Sequence, residues 1–98
     1  MIILLDKMIE TNQKEKIIED LYNRKYKSVL GYCRRFTFGD TYEAENLTHD
    51  IFLNAYNNLD NFKWHSKIDT WLYKITRNVC INYIRYKKQN KRLELIKS

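Results

Sequence analysis

Proline is absent from all 98 residues, and glycine occurs only at Gly31 and Gly39. That scarcity favours helices joined by short turns over a β-sandwich rich in glycine and proline turns. With 98 residues there is room for one domain with a modest core. A hydrophobic fraction of 44% places it with globular rather than disordered chains.

Apolar periodicity divides the chain into helices. Residues 2–10 read as a short amphipathic helix closed off by Thr11-Asn12. Residues 15–37 read as a long one, with Ile18, Tyr22, Tyr26, Val29, Cys33 and Phe36 at the three-or-four spacing of one buried face. Gly39 is placed to end it, since glycine readily takes the left-handed conformation past a helix terminus. Asp40 then caps a second helix, with Glu43 in capping-box register. Its buried face is Ala44, Leu47, Ile51, Ala55, Leu59 and Phe62. Asn57 to Asp69 breaks the pattern and reads as a loop. Asp69 or Thr70 caps a third helix to about Asn90, with a buried stripe of Leu72, Ile75, Val79, Tyr83 and Tyr86 beside Trp71 and Cys80. The expected fold is all-α, a compact three-helix core with a short extra helix at the N-terminus.

Charge is split sharply along this framework. Residues 36–62 carry Asp40, Glu43, Glu45, Asp50 and Asp60 without a single Lys or Arg, for a charge of −5. From Lys63 to Leu93, nine basic residues face Asp69 alone, for +8. Residues 70–93 hold seven basic residues and no acid. A polyanion suits the second region, and the first cannot be a nucleic-acid surface. Asn78, Asn82 and Gln89 add side chains able to read base edges. Phe62, Trp64 and His65 lie among lysines, a composition suited to unstacked bases.

Catalysis finds little support. His49 and Asp50 are neighbours on a helix and point about 100° apart, which is wrong for a base and its orienting acid. Neither histidine recurs at ligand spacing, save a weak His65–Asp69 pair across a helix boundary, so no metal or other cofactor is expected. No glycine loop could cradle a phosphate. Cys33 and Cys80 form no C-x-x-C and lie on apolar-periodic stretches, as buried thiols would. The apolar run Ile2–Leu5 ends at Asp6-Lys7, too short for a signal or membrane segment, and a cytoplasmic, non-enzymatic protein is expected.

Tyr42-Glu43-Ala44-Glu45-Asn46-Leu47-Thr48-His49-Asp50-Ile51-Phe52-Leu53-Asn54-Ala55-Tyr56, then Asn61-Phe62, then Thr70-Trp71-Leu72-Tyr73-Lys74-Ile75-Thr76-Arg77-Asn78, resembles region 2 of bacterial sigma factors. The pattern is nearest that of the extracytoplasmic-function (ECF) class. The match in order and spacing covers residues 21 to about 92, leaving 1–14 as an N-terminal extension and 93–98 as a tail.

The resemblance implies two partners: core RNA polymerase, through the clamp helices of its β′ subunit, and the non-template strand of the promoter's minus-ten element. Glu45, Asn46, Leu47, His49, Asp50 and Phe52 would form the polymerase contact. Asn61, Phe62, Lys63, Trp64, His65, Ser66 and Lys67 would capture a flipped base. Lys74, Arg77, Asn78 and Arg85 would hold the strand, with Trp71, like Leu72 and Ile75, more a core residue than a contact. An anti-sigma factor is a further implied partner. Asn46 and His49 depart from the family's usual Asp and Gln, and the loop Lys63–Asp69 departs from its common Arg-Gly-x-Ser-Ser-Phe type. The chain stops at Ser98 without the family's second, helix-turn-helix domain, as expected of an excised fragment; a one-domain variant is the alternative. Two other functions compete: a sigma-like decoy that binds polymerase without starting transcription, and a plain helical nucleic-acid module, which leaves the acidic helix unexplained.

Overall fold

The computed structural model describes the backbone of residues 2–97 and the side chains of residues 12–96. It contains α1 (Ile2–Phe36), α2 (Thr41–Asn58), a 3-10 turn (Leu59–Asn61) and α3 (Ile68–Lys97). Three helices without strands make the described residues all-α, as the lack of turn residues predicts. The expected pause at Thr11-Asn12 does not occur. Neither residue is a strong breaker, and a helix already nucleated extends across such positions at a few tenths of a kcal/mol each. Residues 2–14 are therefore the first turns of α1, which is about 52 Å long at 1.5 Å per residue. The side chains of the proposed 2–10 face lie outside the described residues.

α1 ends one residue before its predicted limit. Phe38 (φ 54) takes the left-handed position ahead of Gly39 (φ 82). The Gly39 N–H donates back to Arg34 O at 3.1 Å, which closes the helix end. Asp40 then caps α2 as expected, its Oδ1 accepting from the Glu43 N–H at 3.1 Å. The reciprocal half of the capping box is missing. The Asp40 N–H is taken by Thr37 O, and the Glu43 carboxylate turns instead to Tyr83 and Lys87 of α3.

The α2 face matches the periodicity at every position: Ala44, Leu47, Ile51, Ala55, Leu59 and Phe62 are all buried. Thr48 and Phe52 join them. Thr48 is accommodated because its hydroxyl donates to Ala44 O at 2.8 Å, so no polar atom is left unpaired. From α1 come Leu21, Val29 and Cys33, and Tyr22 meets Phe52 edge-on with ring centroids 4.9 Å apart. Leu21 was absent from the predicted stripe, yet it is wholly buried.

α3 starts at Ile68, so neither Asp69 nor Thr70 caps it. The first-turn amides of Thr70 and Trp71 donate to Lys67 O, and the Asp69 carboxylate faces α1. Its buried line is Leu72, Thr76 and Cys80, flanked by the half-buried Ile75, Val79 and Tyr83. Tyr86 is 61% exposed rather than buried. Tyr83 is the last of that stripe packed on the core, and α3 runs on through good helix formers to Lys97, past the expected end at Asn90. Cys33 and Cys80 are free and buried, their sulfurs 3.8 Å apart. Contact with Cys33 and burial both push the Cys80 thiol up.

Candidate functional site

α2 packs one side against α1 and α3 and leaves the other to solvent. On that outer side stand Glu45, Asn46, His49 and Asp50, all exposed. Four-residue spacing sets Glu45 and His49 on one ridge and Asn46 and Asp50 on the next. Of the acids nearby, Glu43 is tied to Tyr83 and Lys87, and Asp60 to Lys14 at 3.2 Å. Glu45 and Asp50 have no ion pair among the described residues. Leu47 and Phe52 are buried and hold the helix down from beneath, so they offer no outward surface. Sequence reasoning missed two exposed apolar residues here, Tyr42 and Leu53, at 73% and 60% exposure. Leu53 continues the Glu45–His49 ridge. Its place off the Ala44–Ile51–Ala55 face was the available signal.

The predicted loop is shorter than expected, because α2 and the 3-10 turn carry regular structure to Asn61. Only residues 62–67 are irregular. Phe62 is buried, with its ring 4.7 Å from Trp64 and 5.1 Å from Trp71. It is therefore the floor of the loop rather than part of its outer surface. Asn61, Lys63, Trp64, His65, Ser66 and Lys67 are exposed. Trp64 is unusual in two ways: it is 60% exposed, and its φ of 59 lies in the left-handed region that bulky residues avoid.

Lys74, Arg77, Asn78 and Arg85 are exposed on α3. At 100° per residue they share one side of the helix with Asn82, Lys88, Gln89 and Arg92. The stripe runs about 27 Å from Lys74 to Arg92. Lys87 and Lys91 lie around the helix from it, lining a cleft with Phe36, Phe38, Tyr83 and Ile84.

The loop is tied to α1 at both ends, which no local pattern revealed. Before it, Lys14 reaches Asp60 and sits 4.5 Å over the Tyr56 ring. After it, Asp69 receives Arg24 Nη1 at 3.2 Å and Lys25 Nζ at 3.3 Å. Burial opposes ionisation of Asp69, but the hydrogen bonds from Lys25 and Arg24 outweigh it and hold the carboxyl below its ordinary value. Among the described residues no cluster of three or more His, Cys, Asp or Glu is placed to hold a metal. None of their helices is long and apolar enough to cross a membrane. What the surface can do is bind: an acidic helical ridge on one element, and cations with an exposed indole on another.

Comparison with known proteins gives the family. The model of the sigma-70 region 2 family matches residues 21–90, and the chain belongs to that family. It is 43% identical over 68 residues to the RNA polymerase sigma factor YlaC of Bacillus subtilis, covering 69% of this chain and 39% of that one. It is 39% identical over 71 residues to the ECF RNA polymerase sigma factor SigW of the same organism, covering 72% and 36%. A probable RNA polymerase sigma factor of Haemophilus influenzae is 32% identical over 74 residues, covering 76% and 38%. These relatives place the chain with the ECF class, and it spans about two fifths of their length.

Proposed function

We propose that this region bridges core RNA polymerase to promoter DNA, docking on the clamp helices of the β′ subunit and engaging the minus-ten element as it opens. The division of exposed charge between two elements of one packed unit supports it most, in a chain whose residues 21–90 match the family. Glu45, Asn46, His49 and Asp50 make the polymerase contact, with Leu53 as its apolar centre and with Leu47 and Phe52 fixing the ridge from the core. The loop 61–67 captures an unstacked base of the non-template strand, with Trp64 as its platform. Lys74, Arg77, Asn78 and Arg85 hold the strand and its phosphates. Unstacking a base costs a few kcal/mol, and stacking in a pocket offsets this. Binding energy suffices and no covalent step is needed, so the protein acts in the cytoplasm as a transcription factor rather than an enzyme. An anti-sigma factor would regulate it by covering either face.

Binding to the isolated β′ clamp helices, compared between the parent and Asp50→Lys, tests the polymerase contact. Micromolar affinity reduced at least about tenfold by the reversal is expected, because like charges then face each other. A parent that does not bind would remove the docking claim and leave the basic stripe as a nucleic-acid module alone.

A further inference from the structure

The proposed contacts make no use of the two buried thiols. Cys33 of α1 and Cys80 of α3 are fully buried and 47 residues apart in sequence, yet their sulfurs lie 3.8 Å apart. A disulfide needs about 2.0 Å, so an approach of roughly 1.8 Å, within reach of two side-chain rotations, would join them. α1 and α3 run parallel here, meeting in turn at Arg24–Asp69, Tyr32–Tyr73 and Cys33–Cys80. They are not sealed against each other. A cleft of ≈ 250 Å³ opens between them, lined in part by Val29, Tyr32, Leu72, Tyr73 and Thr76. Val29 and Thr76 each lie one helical turn before a cysteine on the same face, so the cleft leads toward the pair. Contact with the Cys80 thiol lowers Cys33 below its ordinary value, whereas the same contact and burial raise Cys80. Cys33 is therefore the first to become a thiolate, the form that attacks.

We propose that Cys33 and Cys80 form a peroxide-responsive disulfide that staples α1 to α3. The Cys33 thiolate attacks one oxygen of hydrogen peroxide. The O–O bond breaks, leaving a sulfenic acid on Cys33 and a hydroxide that takes up the proton Cys33 lost. Cys80 Sγ then attacks Cys33 Sγ: the S–S bond forms, the S–O bond breaks, and a second water leaves with the Cys80 proton. Two thiols are oxidised and one peroxide is reduced to two waters. The bond closes a span of 47 residues that includes all of α2, so it restricts the unfolded chain and stabilises the packed unit. The device needs neither polymerase nor DNA, and it stands whether or not the binding faces act as proposed.

The test treats the whole reduced chain with excess hydrogen peroxide and reads intact mass, thiol count after unfolding, and the thermal melt. Expected is a monomer about 2 Da lighter with both thiols gone and its melting midpoint raised by about 10 °C or more. Dithiothreitol should reverse all three. Cys80→Ala should stop at a Cys33 sulfenic acid that dimedone traps, while Cys33→Ala should leave Cys80 unmodified under the same exposure. Dimedone on Cys80 instead would overturn the order of attack. Should either variant fail to fold, the mass, melt and reversal of the parent still decide. Thiols that survive peroxide in the folded chain yet oxidise in urea overturn the staple. So do disulfides only between molecules, over-oxidation without the loss in mass, or equal melts for the reduced and oxidised forms.

Discussion

α2 and the loop after it present their chemistry in opposite ways. The outer ridges of α2 are held by a helix whose inner face is buried at every periodic position, so their geometry follows from the helix itself. The loop has no such internal support. Phe62 beneath it, and cations of α1 at both of its ends, do the work that a hydrogen-bond ladder does in α2. A face built on a regular helix tolerates change at its surface and fails when its core fails. A loop held by side chains from elsewhere responds to single surface substitutions and to salt.

The strongest way to break the contrast is Ile51→Ala. The side chain is fully buried, and its loss should cost about 2–5 kcal/mol, visible as a thermal melt lowered by more than about 10 °C. Both regions should weaken together, because both hang on that core. Trp64→Ala should separate them: single-strand affinity falls by about 1–3 kcal/mol, the worth of one stacked base, while binding to the clamp helices is unchanged. If the two affinities fell in parallel, the loop and the α2 ridge would not be independent.

Arg77→Ala should act more weakly and in a different dimension. Strand affinity drops uniformly across sequences, and the slope of log affinity against log salt becomes shallower by about 0.7, one phosphate contact fewer. The smallest effect is expected at Asp69→Asn. Its side chain is 38% exposed, so its ion pairs contribute no more than about 1 kcal/mol to stability. That contribution depends on pH. The carboxyl ionises more readily in the folded protein than in the unfolded chain, so ionised Asp69 favours folding above the ordinary carboxylate value. As pH falls through the lower folded value the contribution disappears. Denaturant melts of parent and Asp69→Asn should differ by a constant amount above about pH 5 and converge below about pH 4. A gap that persisted in acid would mean that Asp69 acts through packing.

Much of the fold was legible because it depends on neighbours in sequence. The Ala44–Phe62 stripe, the Asp40 cap and the three-helix count all follow from spacing and from one side chain bonding an amide three residues on. Misreadings cluster where nonlocal partners compete for the same groups. Glu43 had the right spacing to complete the capping box, yet Tyr83 and Lys87 of α3 claim it. Asp69 had the right identity to cap α3, yet Arg24 and Lys25 draw it to α1. Tyr86 had the right period for burial, but the packed stripe ends at Tyr83.

In the candidate site the outward ridge Glu45–Asn46–His49–Asp50 and the basic stripe from Lys74 were readable, since helical phase alone puts them on the surface. Leu47 and Phe62 fall on the buried face by spacing alone, although the resemblance gave them contact roles, whereas Phe52 lies off that stripe and only packing assigns it to the core. By itself the sequence determined an all-α chain with one acidic and one basic surface, because periodicity, capping and charge counting use interactions within about four residues. The tertiary structure alone decided how the loop is held. Those contacts join residues some 45 positions apart, as Lys14 to Asp60 and Arg24 to Asp69 do, and no local pattern encodes which cation will meet which carboxylate.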